Sequence, residues 1–225
     1  MIYLLLFFVV IIGGLIAYYI KDLKPQYIHF LLSFSGAYLL SIIIFHILPE
    51  VYAHPDKKLI GVFILLGILF QLILEVFSHG AEHGHEHAFL KKTPWIVFIS
   101  LCIHAFMEGL PINTGDHFHA SYFYAILVHK LPISIILTSL MISAGYSLRK
   151  ILLLLAIFAS MSPLAAWLGH ELNILQEYEA FINAFVAGIL THVGTTILFE
   201  TEHSHEFKIR KFVVIILAML LAYMA

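Results

Sequence analysis

The stretch WIVFISLCIHAFMEGLP, residues 95–111, sets His104 and Glu108 inside a run that is otherwise apolar and long enough to cross a bilayer. A spanning helix needs about 20 mostly apolar residues. An ionisable side chain at its centre costs roughly 2.5–3.5 kcal/mol. Further along, HKLP (129–132) sets His129 and Lys130 inside a second such run. Either these runs are not spans, or the four polar groups have something in the membrane interior that offsets the cost.

Composition answers the first question. The chain has 225 residues, of which 61% are hydrophobic and 12% charged. Its mean hydropathy is +0.97. A soluble domain carries about 25% charged residues. Eight apolar runs qualify as spans, at about 1–20, 27–49, 58–77, 95–111, 119–142, 149–169, 179–200 and 209–225. The expectation is an all-α polytopic membrane protein with eight transmembrane helices, in one domain covering residues 1–225. The first run lacks a basic leading region and a small-residue cleavage site, so it reads as a retained span and not a signal peptide. The single cysteine, Cys102, lies in an apolar run and excludes a disulfide framework. No basic block suggests nucleic acid.

Lys and Arg set the orientation, because cytoplasmic loops carry the excess. The loops joining spans 1–2, 3–4, 5–6 and 7–8 hold nine of the 12 basic residues, and loop 2–3 holds Lys57 and Lys58. Loops 4–5 and 6–7 hold none, and Lys130 is inside a span. Both termini are therefore expected outside the cell.

That topology puts His104, Glu108, His129 and Lys130 near mid-bilayer. His104 and Glu108 are four residues apart and share a helix face. The loop after them is short, so the fourth and fifth spans are expected to be neighbours, with His129 facing the pair. Two imidazoles and a carboxylate suit a first-row divalent metal, with bonds of about 2.0–2.2 Å. The plainer alternative is interhelical hydrogen bonding, which polar groups in spans often do. Matched depth across two spans favours the metal. Pro111 and Pro132 each follow a polar residue by three and would disturb the helix there. Broken helices at mid-bilayer are where transporters hold ions.

Two spans also resemble each other. SGAYLLSIIIFHILPE (35–50) and FVAGILTHVGTTILFE (185–200) share small residues at the start, a Leu-Ser or Leu-Thr step and a closing Glu. The loop charges give them opposite directions, as an inverted repeat requires.

A His-rich cytoplasmic loop occupies about 78–92, with His79, His83, His85 and His87 beside Glu82 and Glu86. Such tracts bind transition metals exchangeably. ETEHSHEF (200–207) repeats the idea on the same side with His203 and His205, and GDHFH (115–119) offers Asp116, His117 and His119 outside. The alternative is a set of polar loops that happen to use histidine. Fifteen histidines against 12 Lys and Arg argue for metal handling.

Together these residues resemble the ZIP (Zrt-, Irt-like protein) family of divalent metal transporters. SFSGAYLLSIIIFHILPE (33–50) is similar to that family's second span. HAFMEG (104–109) is similar to its fourth-span pattern His-Asn-x-x-Asp/Glu-Gly, and HKLP to its fifth-span His-Glu-x-Pro. SPLAAWLG (162–169) is similar to its sixth-span Glu-Pro-Leu-Gly segment. The resemblance implies an eight-helix inverted-repeat bundle with a two-metal centre between the fourth and fifth spans. It implies His104, Glu108 and His129 as ligands of the principal metal.

The chain departs from the pattern at Ala105 in place of Asn, Lys130 in place of Glu, Ser162 in place of Glu and Ile133 in place of a ligand. The first three fall on what the family uses for its second metal. The expectation is therefore a single-metal centre with Lys130 as a built-in counter-cation, and with an open position for water, Ser41 or His192.

The functional expectation is uptake of Zn²⁺ toward the cytoplasm, with Fe²⁺, Mn²⁺ or Cd²⁺ as further cargo, because such ligands bind several metals. A metal-binding sensor that does not transport is the second reading. A membrane-embedded zinc hydrolase is the third, and it is disfavoured because HELNI (170–174) has Ile174 where His-Glu-x-x-His needs its second histidine. The chain is thus expected not to be an enzyme. Expected partners are lipid, divalent ions and a second copy of the chain as a homodimer. The expected location is the bacterial cytoplasmic membrane. Glu75 is a candidate proton carrier, and His46 and Glu50 are candidates for the outer mouth.

Overall fold

In hydrocarbon no water satisfies backbone N–H and C=O groups, so an apolar run must satisfy its own by coiling. The computed structural model describes residues 1–20, 25–78, 94–113, 118–199 and 205–225, and among them all regular structure is helical. The first span is α1 (Ile2–Tyr19). The second is α2 (Pro25–Ile42), a π-helical turn (Ile43–Ile47) and α3 (Leu48–Val51) in one continuous rod. Then follow α4 (Lys57–Ser78), α5 (Pro94–Gly109) with a 3₁₀ turn at Leu110–Ile112, α6 (Ala120–Ser143) and α7 (Leu148–Glu171). A short α8 (Asn173–Glu177) leads into α9 (Glu179–Phe199) and α10 (His205–Met224). Among the described residues, seven helical rods are long and apolar enough to cross a membrane. The eighth, α10, carries Arg210 and Lys211 near its start and is apolar from Phe212 to Ala222.

Local chemistry fixes the ends. Asp56 accepts a hydrogen bond from the Leu59 backbone N–H at 3.0 Å, an N-cap for α4. Gly145, at φ +76°, closes α6, with Tyr146 N–H reaching back to the Met141 carbonyl at 3.0 Å. Pro49 has no N–H and clashes with the carbonyl four residues earlier. The helix widens into its π turn just before it, and the Leu48 N–H bonds the Ile43 carbonyl instead.

The expected breaks at Pro111 and Pro132 differ in outcome. Pro111 coincides with the 3₁₀ turn that ends the fourth span, whereas α6 runs through Pro132 without interruption.

Helix partners follow a pattern. α1 packs on α6 and α7 on α5; α4 packs on α9 and α10 on α2; α1 meets α7 and α2 meets α9. Exchanging α1 with α7, α2 with α9, α4 with α10 and α5 with α6 leaves these pairings unchanged, although the α4–α5 and α2–α6 packing is much more extensive than that of their counterparts α10–α6 and α9–α5. That is the relation an inverted repeat imposes, and it joins the two spans whose sequences resemble each other. Small residues allow the close contacts. Gly67 of α4 lies against the Phe185 carbonyl of α9, and Gly188 of α9 lies against the Ile64 carbonyl of α4.

Both chain ends lie at one end of the bundle. The Tyr3 hydroxyl accepts from the Asn113 amide at 3.2 Å, and the Ser121 hydroxyl donates to the Ala225 carbonyl at 3.1 Å. At the far end the Lys211 ammonium, near the start of α10, donates to the Leu198 carbonyl near the end of α9 at 3.1 Å. α10 therefore runs back over the length that α9 covers.

Candidate metal centre

α5 and α6 deliver the polar residues of the two quoted stretches to one place. His104, Glu108, His129 and Lys130 are 2%, 2%, 0% and 1% exposed. The two rings stand edge to face with centroids 6.1 Å apart. One ligand atom from each of His104, Glu108 and His129 falls within 4.8 Å of the others. The spacing decides what this arrangement suits. His104 Nε2 and Glu108 Oε2 are 3.5 Å apart. A direct N–H···O bond prefers 2.7–3.2 Å. Two ligands of one tetrahedral ion, with bonds of about 2.1 Å, stand about 3.4 Å apart. The separation fits a shared ion better than a hydrogen bond.

Two side chains that sequence reading did not single out orient the rings. Gln71 of α4, fully buried, has its carbonyl oxygen 3.1 Å from His104 Nδ1. An amide oxygen only accepts, so this contact suits a tautomer with the proton on Nδ1, which would turn the Nε2 lone pair toward Glu108 for a metal. Ser35 of α2 stands 2.9 Å from His129 Nδ1, which leaves Nε2 as the nitrogen able to meet a metal. Partners of this kind fix ring orientation and tautomer at metal sites. Gln71 had a signal, as a lone amide inside an apolar span; Ser35 had none.

Lys130 ion-pairs with Glu108 Oε1 at 2.7 Å and lies 5.0 Å from the centre of the Phe158 ring of α7. The pair makes the cluster neutral without a metal, and the ring face adds a cation–π contribution. Beside it, α5 and α7 meet closely. The Ser162 hydroxyl donates to the Ala105 carbonyl, and a Cβ on Gly109 would stand 2.6 Å from the Ser162 carbonyl oxygen. Ala105, Ser162 and Ile133 are all buried. The Tyr122 hydroxyl donates to the Glu108 carbonyl at 2.8 Å, which ties α6 to the end of α5.

Other candidates lie elsewhere. The Ser41 hydroxyl bonds its own helix at the Ala37 carbonyl, at 2.7 Å. His192 Nε2 is 2.6 Å from Glu75 Oε2, joining α9 to α4. Ser41 and His192 each have a partner of their own, and Glu75 is partnered and not simply solvated at a rim. His46 lies in the π turn with Nε2 3.4 Å from the Ala222 carbonyl of α10. Glu50 faces His119. The loop histidines His79, His83, His85 and His87 lie outside the described residues, as do Asp116, His117 and His203. His205 opens α10.

The fold and this cluster define a class: an all-α polytopic membrane protein with an ionisable, ligand-rich centre buried between its helices. The family model described as ZIP zinc transporter matches residues 81–224, more than half of the chain. The chain belongs to the ZIP zinc transporter family, whose members move divalent metal ions across membranes and whose usual substrate is zinc. No curated protein matches it by sequence.

Proposed function

We propose that the chain carries Zn²⁺ toward the cytoplasm through His104, Glu108 and His129, with Fe²⁺, Mn²⁺ and Cd²⁺ as further cargo. One observation carries this reading: two imidazoles and a carboxylate, all buried, converge within 4.8 Å from two adjoining spans. A single metal binds there, with Lys130 standing in for a second cation. The Ala105–Ser162 contact, where α5 and α7 touch directly, supports that reading. Three protein ligands and one open position give a site an ion can leave as well as enter. The wider arrangement proposed is one domain over residues 1–225, with eight crossings, both termini outside, and the histidines of 79–87 receiving the ion inside.

The test is uptake of labelled zinc into liposomes holding the purified chain. The unmutated protein accumulates zinc, and His104→Ala lowers the rate at least tenfold. The Lys130–Glu108 pair favours one other reading, a sensor that binds metal without moving it. Binding without uptake by the unmutated chain would establish that reading and exclude transport.

A further inference from the structure

A second group of metal-ligand type sits at the end of the bundle that holds the chain termini. His119 precedes the first turn of α6, Glu50 lies in α3, and Glu179 opens α9. His119 Nδ1 is 3.6 Å from Glu50 Oε2, and Nε2 is 3.6 Å from Glu179 Oε1. One ligand atom from each falls within 4.8 Å of the others. At 3.6 Å neither contact is a good hydrogen bond. One imidazole meets a given ion through one nitrogen only, so one of these contacts serves as an edge of about 3.4 Å in a tetrahedral shell with bonds of about 2.1 Å, while the other carboxylate reaches the same ion from within 4.8 Å. Three separate elements supply the residues, so tertiary packing assembles the group.

Three further observations give it access and a destination. Glu50 and Glu179 are 47% and 29% exposed, and they line a cleft of about 160 Å³ with Val51, His54 and Ala180. His54 brings another imidazole to that cleft. Asn183 lies one turn beyond Glu179 on the same face of α9, about 6 Å deeper at 1.5 Å per residue. It is 1% exposed, and among the described residues its side-chain oxygen has no hydrogen-bond partner. α9 also packs against the 3₁₀ turn Leu110–Ile112, which directly follows the Glu108–Gly109 end of α5. His129 lies ten residues along α6 from His119, about 15 Å deeper.

We propose that Glu50, His119 and Glu179 form a capture site for a divalent transition-metal ion, separate from the buried centre, from which the ion passes by Asn183 to His104, Glu108 and His129. Two carboxylates offset the ion's charge, and water fills the remaining positions. An exposed, part-hydrated site of this kind binds weakly and exchanges quickly. It raises the local concentration of cations above a centre whose own Lys⁺ repels them.

The buried centre and the capture site are tested apart. In a full-length background carrying His104→Ala and His129→Ala, with the four histidines of 79–87 changed to Ser, equilibrium dialysis against Zn²⁺ counts the ions retained. One ion is expected to be lost on adding Glu50→Gln with Glu179→Gln, and likewise on adding His119→Ala. Glu50→Gln alone, at a half-exposed position, should weaken binding of that ion several-fold without disturbing the fold. In liposomes with the buried ligands intact, Glu50→Gln should raise the zinc concentration for half-maximal uptake several-fold. Unchanged ion counts in all these variants would overturn the capture site and leave the buried centre standing. Loss of the outer ion together with no effect of His104→Ala on binding or uptake would do the reverse.

Discussion

Lys130 is the residue that most separates this centre from a two-metal one. Its ammonium neutralises Glu108 directly, at 2.7 Å in a buried setting. Removing one partner of a buried ion pair costs about 3–5 kcal/mol, because the other charge is left uncompensated. A dication arriving beside Lys⁺ is also repelled; at an effective permittivity of about 20, charges +1 and +2 some 5 Å apart repel by several kcal/mol. Lys130→Met should therefore lower the melting temperature without metal, tighten zinc binding at least tenfold, and make zinc stabilise the variant more than the parent. Equal zinc-induced melting shifts in the two proteins would contradict this account of Lys130. Lys130→Glu with Ala105→Asn and Ser162→Glu should bind one more midplane metal than the parent, and a second ion there in the unmutated chain would end the single-site proposal. Gln71 acts one shell further out. Gln71→Leu should weaken zinc binding about 10–100-fold, the usual loss when a ligand's hydrogen-bond partner goes. His104, Glu108, His129 and Lys130 were legible in the sequence because each breaks an apolar run at matched depth. The orienting roles of Gln71 and Ser35 were not, because they depend on how α4 and α2 rotate against α5 and α6.

Among the elements, the contact between α5 and α7 closes the space beside Lys130. Ala105 and Gly109 are one turn apart on α5, and both meet Ser162. Gly109→Val would push side-chain carbons into the Ser162 backbone, where little can yield. Overpacking of this kind costs about 1–3 kcal/mol. The variant should melt several degrees lower and lose zinc affinity, since Glu108 is the neighbouring residue. Gly61→Val is the control, because a Cβ there meets only the Tyr52 hydroxyl at 3.9 Å; its melting temperature should hardly move. Thermal melts of both in one detergent decide the point, and equal shifts would count against a tight α5–α7 contact. Span limits came within a few residues of the sequence expectation, because hydropathy changes sharply at Lys57, Arg149 and Glu179. The π turn and the short α8 were not foreseen. The first answers a single proline whose effect depends on local backbone, and the second lies in a connection with no clear period. The pairing of Glu75 with His192 was also missed, since the two residues are 117 positions apart.

At the scale of the whole molecule, the position of the termini limits the topology. Tyr3 contacts Asn113 just after the 3₁₀ turn that ends the fourth span, and Ala225 contacts Ser121 in the first turn of α6, so both lie on one side of the bundle. A chain that returns to its starting side crosses an even number of times, which supports the proposed eighth crossing by α10 although its first turns are basic. The same end carries Glu50, His119 and Glu179, while Arg149 and Lys150 near the start of α7 and Arg210 and Lys211 in the first turns of α10 lie at the other end. The positive-inside rule favours the proposed orientation, with the termini and the carboxylate-lined cleft outside. A cysteine at Ala225, introduced with Cys102→Ser so that it is the one thiol, should react with a membrane-impermeant maleimide in intact cells. A cysteine at Arg149 should react only after the membrane is opened. The reverse pattern would turn the bundle over. The Glu50–His119–Glu179 group would then face the cytoplasm as a point of release, and inward zinc movement would have to start from the basic, His-rich side.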